Sequence, residues 1–117
     1  MTPPEDSFNL QVEENTVIVS FSDGYLLYER AYDLKDNLQE KILRTLEKER
    51  CEKVKIDLGK VNKIDAAGIN ILISFKKEIE KRNKTFEISN VNSGYIKKIF
   101  AVTEADSWLN QQGSIQL

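Results

Sequence analysis

Apolar and polar positions alternate from Phe8 onward: Phe8, Leu10 and Val12 stand against Asn9, Gln11 and Glu13, and after Glu14-Asn15 the residues Val17, Val19 and Phe21 stand against Thr16, Ile18 and Ser20. A period of two in two short runs split by a turn predicts a β-hairpin with one wet face. Asp23-Gly24 turns the chain, and Tyr25-Leu26-Leu27 is a short apolar piece able to add a few strand residues. From about Glu29 the period lengthens. Leu34, Leu38, Ile42 and Leu46, with Ala31 and Leu43 beside them, recur at helical spacing opposite Lys35, Asp36, Gln39, Glu40, Lys41, Glu47 and Lys48. This predicts an amphipathic helix lying on the sheet, with Glu47-Lys48-Glu49-Arg50 as its solvated end.

Val54, Ile56 and Leu58 then alternate with Lys53, Lys55 and Asp57. A strand covered on both faces would be almost continuously apolar, so this alternation predicts helices on one face only, in two layers. The run Ile64-Asp65-Ala66-Ala67-Gly68-Ile69 opens a second helix that continues to about Arg82. Asp65 stands where an N-cap belongs, and its carboxylate can accept the free N–H groups of the first turn. Gly68, lacking a Cβ, allows close approach of another backbone or a partner. The first half of this helix is apolar nearly all round (Ile69, Ile71, Leu72, Ile73, Phe75), whereas the second half is charged. One sheet face can bury only one stripe, so part of Ile69, Ile71 and Ile73 is expected to be left over, as deeper core or as a contact surface.

Phe86 and Ile88 alternate with Thr85, Glu87 and Ser89 in a fourth strand. Asn90 to Ser93 supplies a turn with capping residues, and a short helix follows with Tyr95, Ile96, Ile99 and Phe100 on it and Lys97 and Lys98 outside. Residues 103–106 read as one more helical turn or a loop, Trp108 and Leu109 are expected to anchor the tail, and residues 114–117 read as an edge strand or a frayed end. The order predicts an α/β fold with a mixed, mainly parallel sheet of four to five strands and helices on one face.

Length sets one domain, expected over residues 8–117 after a disordered lead at 1–7. That lead has neither the basic nor the apolar region of a signal peptide, so a cytoplasmic location is expected. The longest uncharged run, Ala66 to Phe75, is far short of the roughly 20 residues of a membrane span, so no direct membrane insertion is expected. A net charge of −2 gives no electrostatic reason to bind nucleic acid. Histidine is absent and Cys51 is the sole cysteine, which removes the commonest general base, the commonest metal ligand, any thiol–imidazole pair and any disulfide within the chain. Asp57 and Asp65 fall on separate elements without metal-ligand spacing, and no glycine-rich phosphate loop is present. Around Asp65 only Asn62, Lys63 and Asn70 offer polar groups, a thin set for catalysis. The expectation is a protein with no enzymatic activity, metal or cofactor.

The order of elements, with a polar Asp-Ala-Ala-Gly loop opening the second helix, resembles the STAS domain, the fold of bacterial anti-sigma-factor antagonists. Gly24-Tyr25-Leu26 followed by Ala31 and Leu34 resembles the family's turn into its first helix. Val54 to Leu58 followed by Val61, Ile64, Asp65, Gly68 and Ile69 resembles its strand, loop and Asp-Ser-Ser/Thr-Gly-Leu pattern, and Tyr95 to Phe100 resembles its third helix. In phosphorylated members the acceptor is the hydroxyl residue directly after the Asp. That position is Ala66 here, followed by Ala67, so the usual off-switch, which adds roughly two negative charges at a helix start, has no oxygen to act on.

The resemblance implies a partner-binding module that engages an anti-sigma factor of the serine-kinase type and stays in its binding-competent form. Its implied contact residues are Asn62, Asp65, Ala66, Ala67 and Gly68, the exposed side of the second helix (Ile69, Asn70, Ile73), and Tyr95 and Lys98. STAS subunits of lipid-transport ATPase complexes are the alternative within the binding class, with a transporter ATPase as partner. Outside that class stand a small-ligand sensor using a cleft beside Asp65 and a homodimer formed through the apolar helix face.

Overall fold

A computed structural model describes residues 8–22, 24–26 and 28–102. The expectations for the lead, the tail beyond Val102, Asp23, Leu27 and the side chains of Leu26, Ala31 and Leu34 lie outside the described residues.

The alternating runs form strands β1 (Phe8–Glu13), β2 (Thr16–Phe21), β4 (Lys53–Asp57) and β6 (Thr85–Ser89). Two-residue strands β3 (Tyr25–Leu26) and β5 (Lys63–Ile64) form a separate parallel pair. The helices are α1 (Tyr28–Lys48), α2 (Ala66–Lys81) and α3 (Gly94–Val102). The four longer strands lie in the order β1-β2-β4-β6, β1 antiparallel to β2 and the rest parallel. This is an α/β fold with a four-stranded, mostly parallel sheet and three helices among the described residues.

One sheet face carries Val17, Val19, Phe21, Val54, Ile56, Phe86 and Ile88, all buried. Against it pack Leu38, Ile42 and Leu46 of α1, Leu72, Phe75 and Ile79 of α2, and Ile96 and Phe100 of α3. The other face repeats a polar row across the strands, Asn9, Ser20, Asp57 and Ser89 being successive partners in register. Below that row Lys53 Nζ and Lys55 Nζ lie 3.2 and 3.9 Å from Glu87 Oε2. Glu87 is itself buried, and the attraction is ionic rather than a directed hydrogen bond.

The second helix departs from the sequence expectation. α2 packs on α1 as well as on β5 and β6, so it buries more than a single stripe. Ile69 and Ile71 are both core, 5% and 4% exposed, and even Lys76 is buried, its Nζ held 2.8 Å from Glu80 Oε2. The expectation that Ile69 belongs to an exposed contact side is therefore corrected: the neighbouring helix takes up the surplus apolar surface.

The start of the second helix as a candidate functional site

The loop between β4 and α2 is built by short-range hydrogen bonds. Asp57 Oδ1 accepts from Gly59 N at 2.8 Å, turning the chain out of the sheet, and Val61 N donates to Leu58 O at 3.0 Å. Asn62 N and Lys63 N then both donate to Gly24 O, at 2.7 and 3.1 Å, pinning this loop to the one after β2. A Cβ on Gly24 would stand 3.3 Å from the Asn62 side-chain amide, a tight contact between the two loops. On the other side Asn62 O accepts from Ser93 Oγ at 3.5 Å, and Ser93 Oγ accepts from Ile96 N at 3.3 Å as the cap of α3. Asn62 thus ties together three segments that are far apart in the chain.

Asp65 has extended backbone, and its Oδ1 accepts from Gly68 N at 3.0 Å, the expected N-cap. Ala66 is the first residue of α2 and is exposed, whereas Ala67 is half-buried against the core and Gly68 is buried. The solvent side of α2 runs through Ala66, Asn70, Ile73 and Lys77, at the spacing of one helical stripe. Ile73 is half-buried and Asn70 exposed. Of the sequence-derived residues, Asn62, Ala66 and Asn70 are exposed and Asp65 and Ile73 half-buried, Ala66, Asn70 and Ile73 sharing one stripe of α2. Tyr95, 50% exposed, and Lys98, also exposed, lie on α3, which packs beside β5. Ile69 and Gly68 lie underneath.

Tyr25 was not among the sequence candidates. It is 44% exposed and pairs in register with Lys63, so the small β3-β5 sheet brings an aromatic ring to the same end of the molecule. Its only signal was an aromatic residue directly after a turn glycine.

A polar cleft at this end lies on the Asp57 side. It measures about 390 Å³ and is lined by residues of β1 and β2 and of the loops after β4 and β6, including Asn9, Ser20, Asp57, Lys60 and Asn92. No group of His, Cys, Asp or Glu side chains able to hold a metal occurs among the described residues. Cys51 is buried, and burial first, then the nearby Glu49 carboxylate, pushes its thiol above the ordinary range. No helix among the described residues is long and apolar enough to cross a membrane.

A mostly parallel sheet with helices packed on one face and a capped helix start in its loops defines a class of small α/β module. The chain belongs to the STAS domain family, whose model matches residues 7–115. STAS domains are typically non-catalytic modules. Similar solved structures include the anti-sigma factor antagonist SpoIIAA of Bacillus in its unphosphorylated form, with 17% identity, TM-score 0.65, and 86% of this chain and 84% of that one covered. A sulfate transporter family protein from Wolinella succinogenes has 21% identity and TM-score 0.67 over 90% of this chain and 79% of its own. SLC26A9 has 15% identity and TM-score 0.66 over 90% of this chain but 18% of its own length. These likenesses establish the fold. No curated protein matches the chain in sequence.

Proposed function

We propose that this protein is a non-catalytic partner-switching module of the anti-sigma-factor antagonist type, binding a serine-kinase-type anti-sigma factor through the start of α2. One observation supports the reading: a capped, solvent-facing helix start in a fold like that of SpoIIAA, at which the family resemblance puts Ala66 in the phosphoacceptor position. The contact surface is Asn62, Asp65, Ala66, Asn70 and Ile73, flanked by Tyr95 and Lys98, with Tyr25 added by the geometry. Control lies in synthesis or competition and not in phosphorylation at this loop. The nearby hydroxyls support that view: Ser89 is buried and the Ser93 oxygen is engaged in capping α3.

The test is affinity purification of the tagged protein from its native cell with mass spectrometry, using Ala66→Lys as control bait. Ala66 is exposed, so the substitution blocks docking without disturbing the core. Recovery of a kinase-fold anti-sigma factor, lost in the control, is the expected result. A transport ATPase in its place moves the protein to a membrane complex, and recovery of bait alone refutes the reading. Incubation with the recovered kinase and ATP should leave the protein unmodified, and stoichiometric phosphate on Ser74, Ser89 or Ser93 refutes the switchless form.

A further inference from the structure

The two edges of the main sheet differ. At the β6 edge, Phe86, Glu87, Ile88 and Ser89 are all buried. At the β1 edge, Asn9, Gln11, Val12 and Glu13 are exposed, and no described strand pairs with its outer side. Open edges are ordinarily guarded by lysine, proline, a bulge or extreme shortness. β1 has none of these: Phe-Asn-Leu-Gln-Val-Glu is six residues long, pairs with β2 in unbroken register and contains neither lysine nor proline.

Beside this edge, between β1 and α1, runs a groove of about 290 Å³ lined by Phe8, Asn9, Leu10, Lys41, Arg44 and Thr45. Its floor is apolar, since Phe8 and Leu10 are only partly buried against the core. Its wall carries Lys41, whose Nζ stands 5.2 Å from the centre of the Phe8 ring, and Arg44, which is ion-paired with Glu40. On the same side of the strand Val12 is 41% exposed, and the hairpin turn beyond it carries Glu13 and Glu14.

We propose that β1 pairs antiparallel with β1 of a second copy of this chain about a two-fold axis, joining two four-stranded sheets into one. Only registers that keep the apolar faces on one side are allowed. Those centred on Leu10 or on Gln11 meet this condition, and they place Val12 of the second copy beside Phe8 or Leu10 respectively. In both, Val12 of the second copy lies over the apolar floor of the groove, while Glu13, on the other face of the strand, points away from α1. The edge is thus complementary to itself in backbone hydrogen bonds and apolar surface. This inference does not depend on the identity of any heterologous partner.

Sedimentation velocity of the full chain from micromolar to submillimolar concentration tests it, together with Val12→Lys. The wild type is expected to move from monomer to dimer, and Val12→Lys to raise the dissociation constant about tenfold or more with an unchanged melting temperature. As a second reading, Gln11→Cys treated with a short bis-maleimide is expected to give a covalent dimer, while Asn70→Cys gives none; Cys51, being buried, stays out of the reaction. A wild type that is monomeric throughout, or a dimer that Val12→Lys leaves unchanged and Gln11→Cys fails to capture, overturns the proposal.

Discussion

Ile69 decides how much of α2 remains for a partner, and it can be tested by truncation. The side chain is 5% exposed in a core shared by sheet and helices, at the point where α2 meets its neighbours. Ile69→Ala removes three carbons from a packed site and is expected to cost about 2–5 kcal/mol, the range for such truncations. With each kcal/mol shifting the midpoint of a chain this size by about 4 °C, the melting temperature should fall by about 8–20 °C. Ile69→Asp adds an unpaired buried carboxylate and should consume most of a total stability of about 5–15 kcal/mol. Asn70, one residue on, is exposed, and Asn70→Ala should be neutral or stabilising by about 0.5 kcal/mol through helix propensity. Urea and thermal unfolding followed by far-ultraviolet circular dichroism measure all three. If Ile69→Ala lies within about 0.5 kcal/mol of wild type, the burial is refuted and that face of α2 is free for docking.

Asp65→Ala deletes the acceptor for Gly68 N and should cost about 1 kcal/mol in urea titration, whereas Asp65→Asn, which keeps an acceptor oxygen, should cost less. The Lys53→Ala and Lys55→Ala double substitution leaves the buried Glu87 carboxylate unpaired and should destabilise by about 3 kcal/mol, while Glu87→Leu should be near neutral; equal losses from the two would contradict the ionic pairing. Because the Cys51 thiol is raised in the folded state, its contribution to stability is intact below the ordinary thiol value and is lost as pH rises through the folded one. Cys51→Ala should therefore show a smaller alkaline loss of urea midpoint than wild type, and an identical loss in both would refute the assignment.

The strands of the main sheet were legible because a half-buried strand writes its two faces into alternate residues, and β2 and β4 keep that alternation, whereas β6 alternates in sequence but is buried on both faces. The Asp65 cap was legible because the first turn of a helix offers donors only to nearby side chains. β3 and β5 were less so, since two residues hold no period and their pairing depends on Gly24 meeting the loop at Asn62. Whether Ile69 and Ile71 are surface or core is not a property of α2 alone; it depends on α1 lying alongside, about 30 residues earlier in the chain. Glu87 reads as an ordinary wet-face residue until the register brings Lys53 and Lys55 of the adjacent strand to it. The candidate site divides in the same way: the loop residues are local in sequence, while Tyr25 and Tyr95 arrive through tertiary contacts.

The two alanines at the helix start have different physical status. Ala67 is half-buried against the core, where a small residue is demanded by packing, whereas Ala66 is exposed and its side chain supports nothing beneath it. Packing therefore leaves the missing hydroxyl at position 66 unexplained. Ala66→Ser should be tolerated within about 0.5 kcal/mol, the ordinary cost of a surface change in a helix. A phosphoryl group on that side chain would gain from the helix N-terminus yet lie one residue from the Asp65 carboxylate, and would place its added charge in the middle of the proposed contact rim. The Ala66→Ser protein should thus take up phosphate from the kinase-type partner and, once modified, release it, with titration calorimetry before and after phosphorylation as the measurement. Phosphorylation of that variant without loss of binding would refute the contact rim, and failure of the kinase to act on it would refute the proposed partner class.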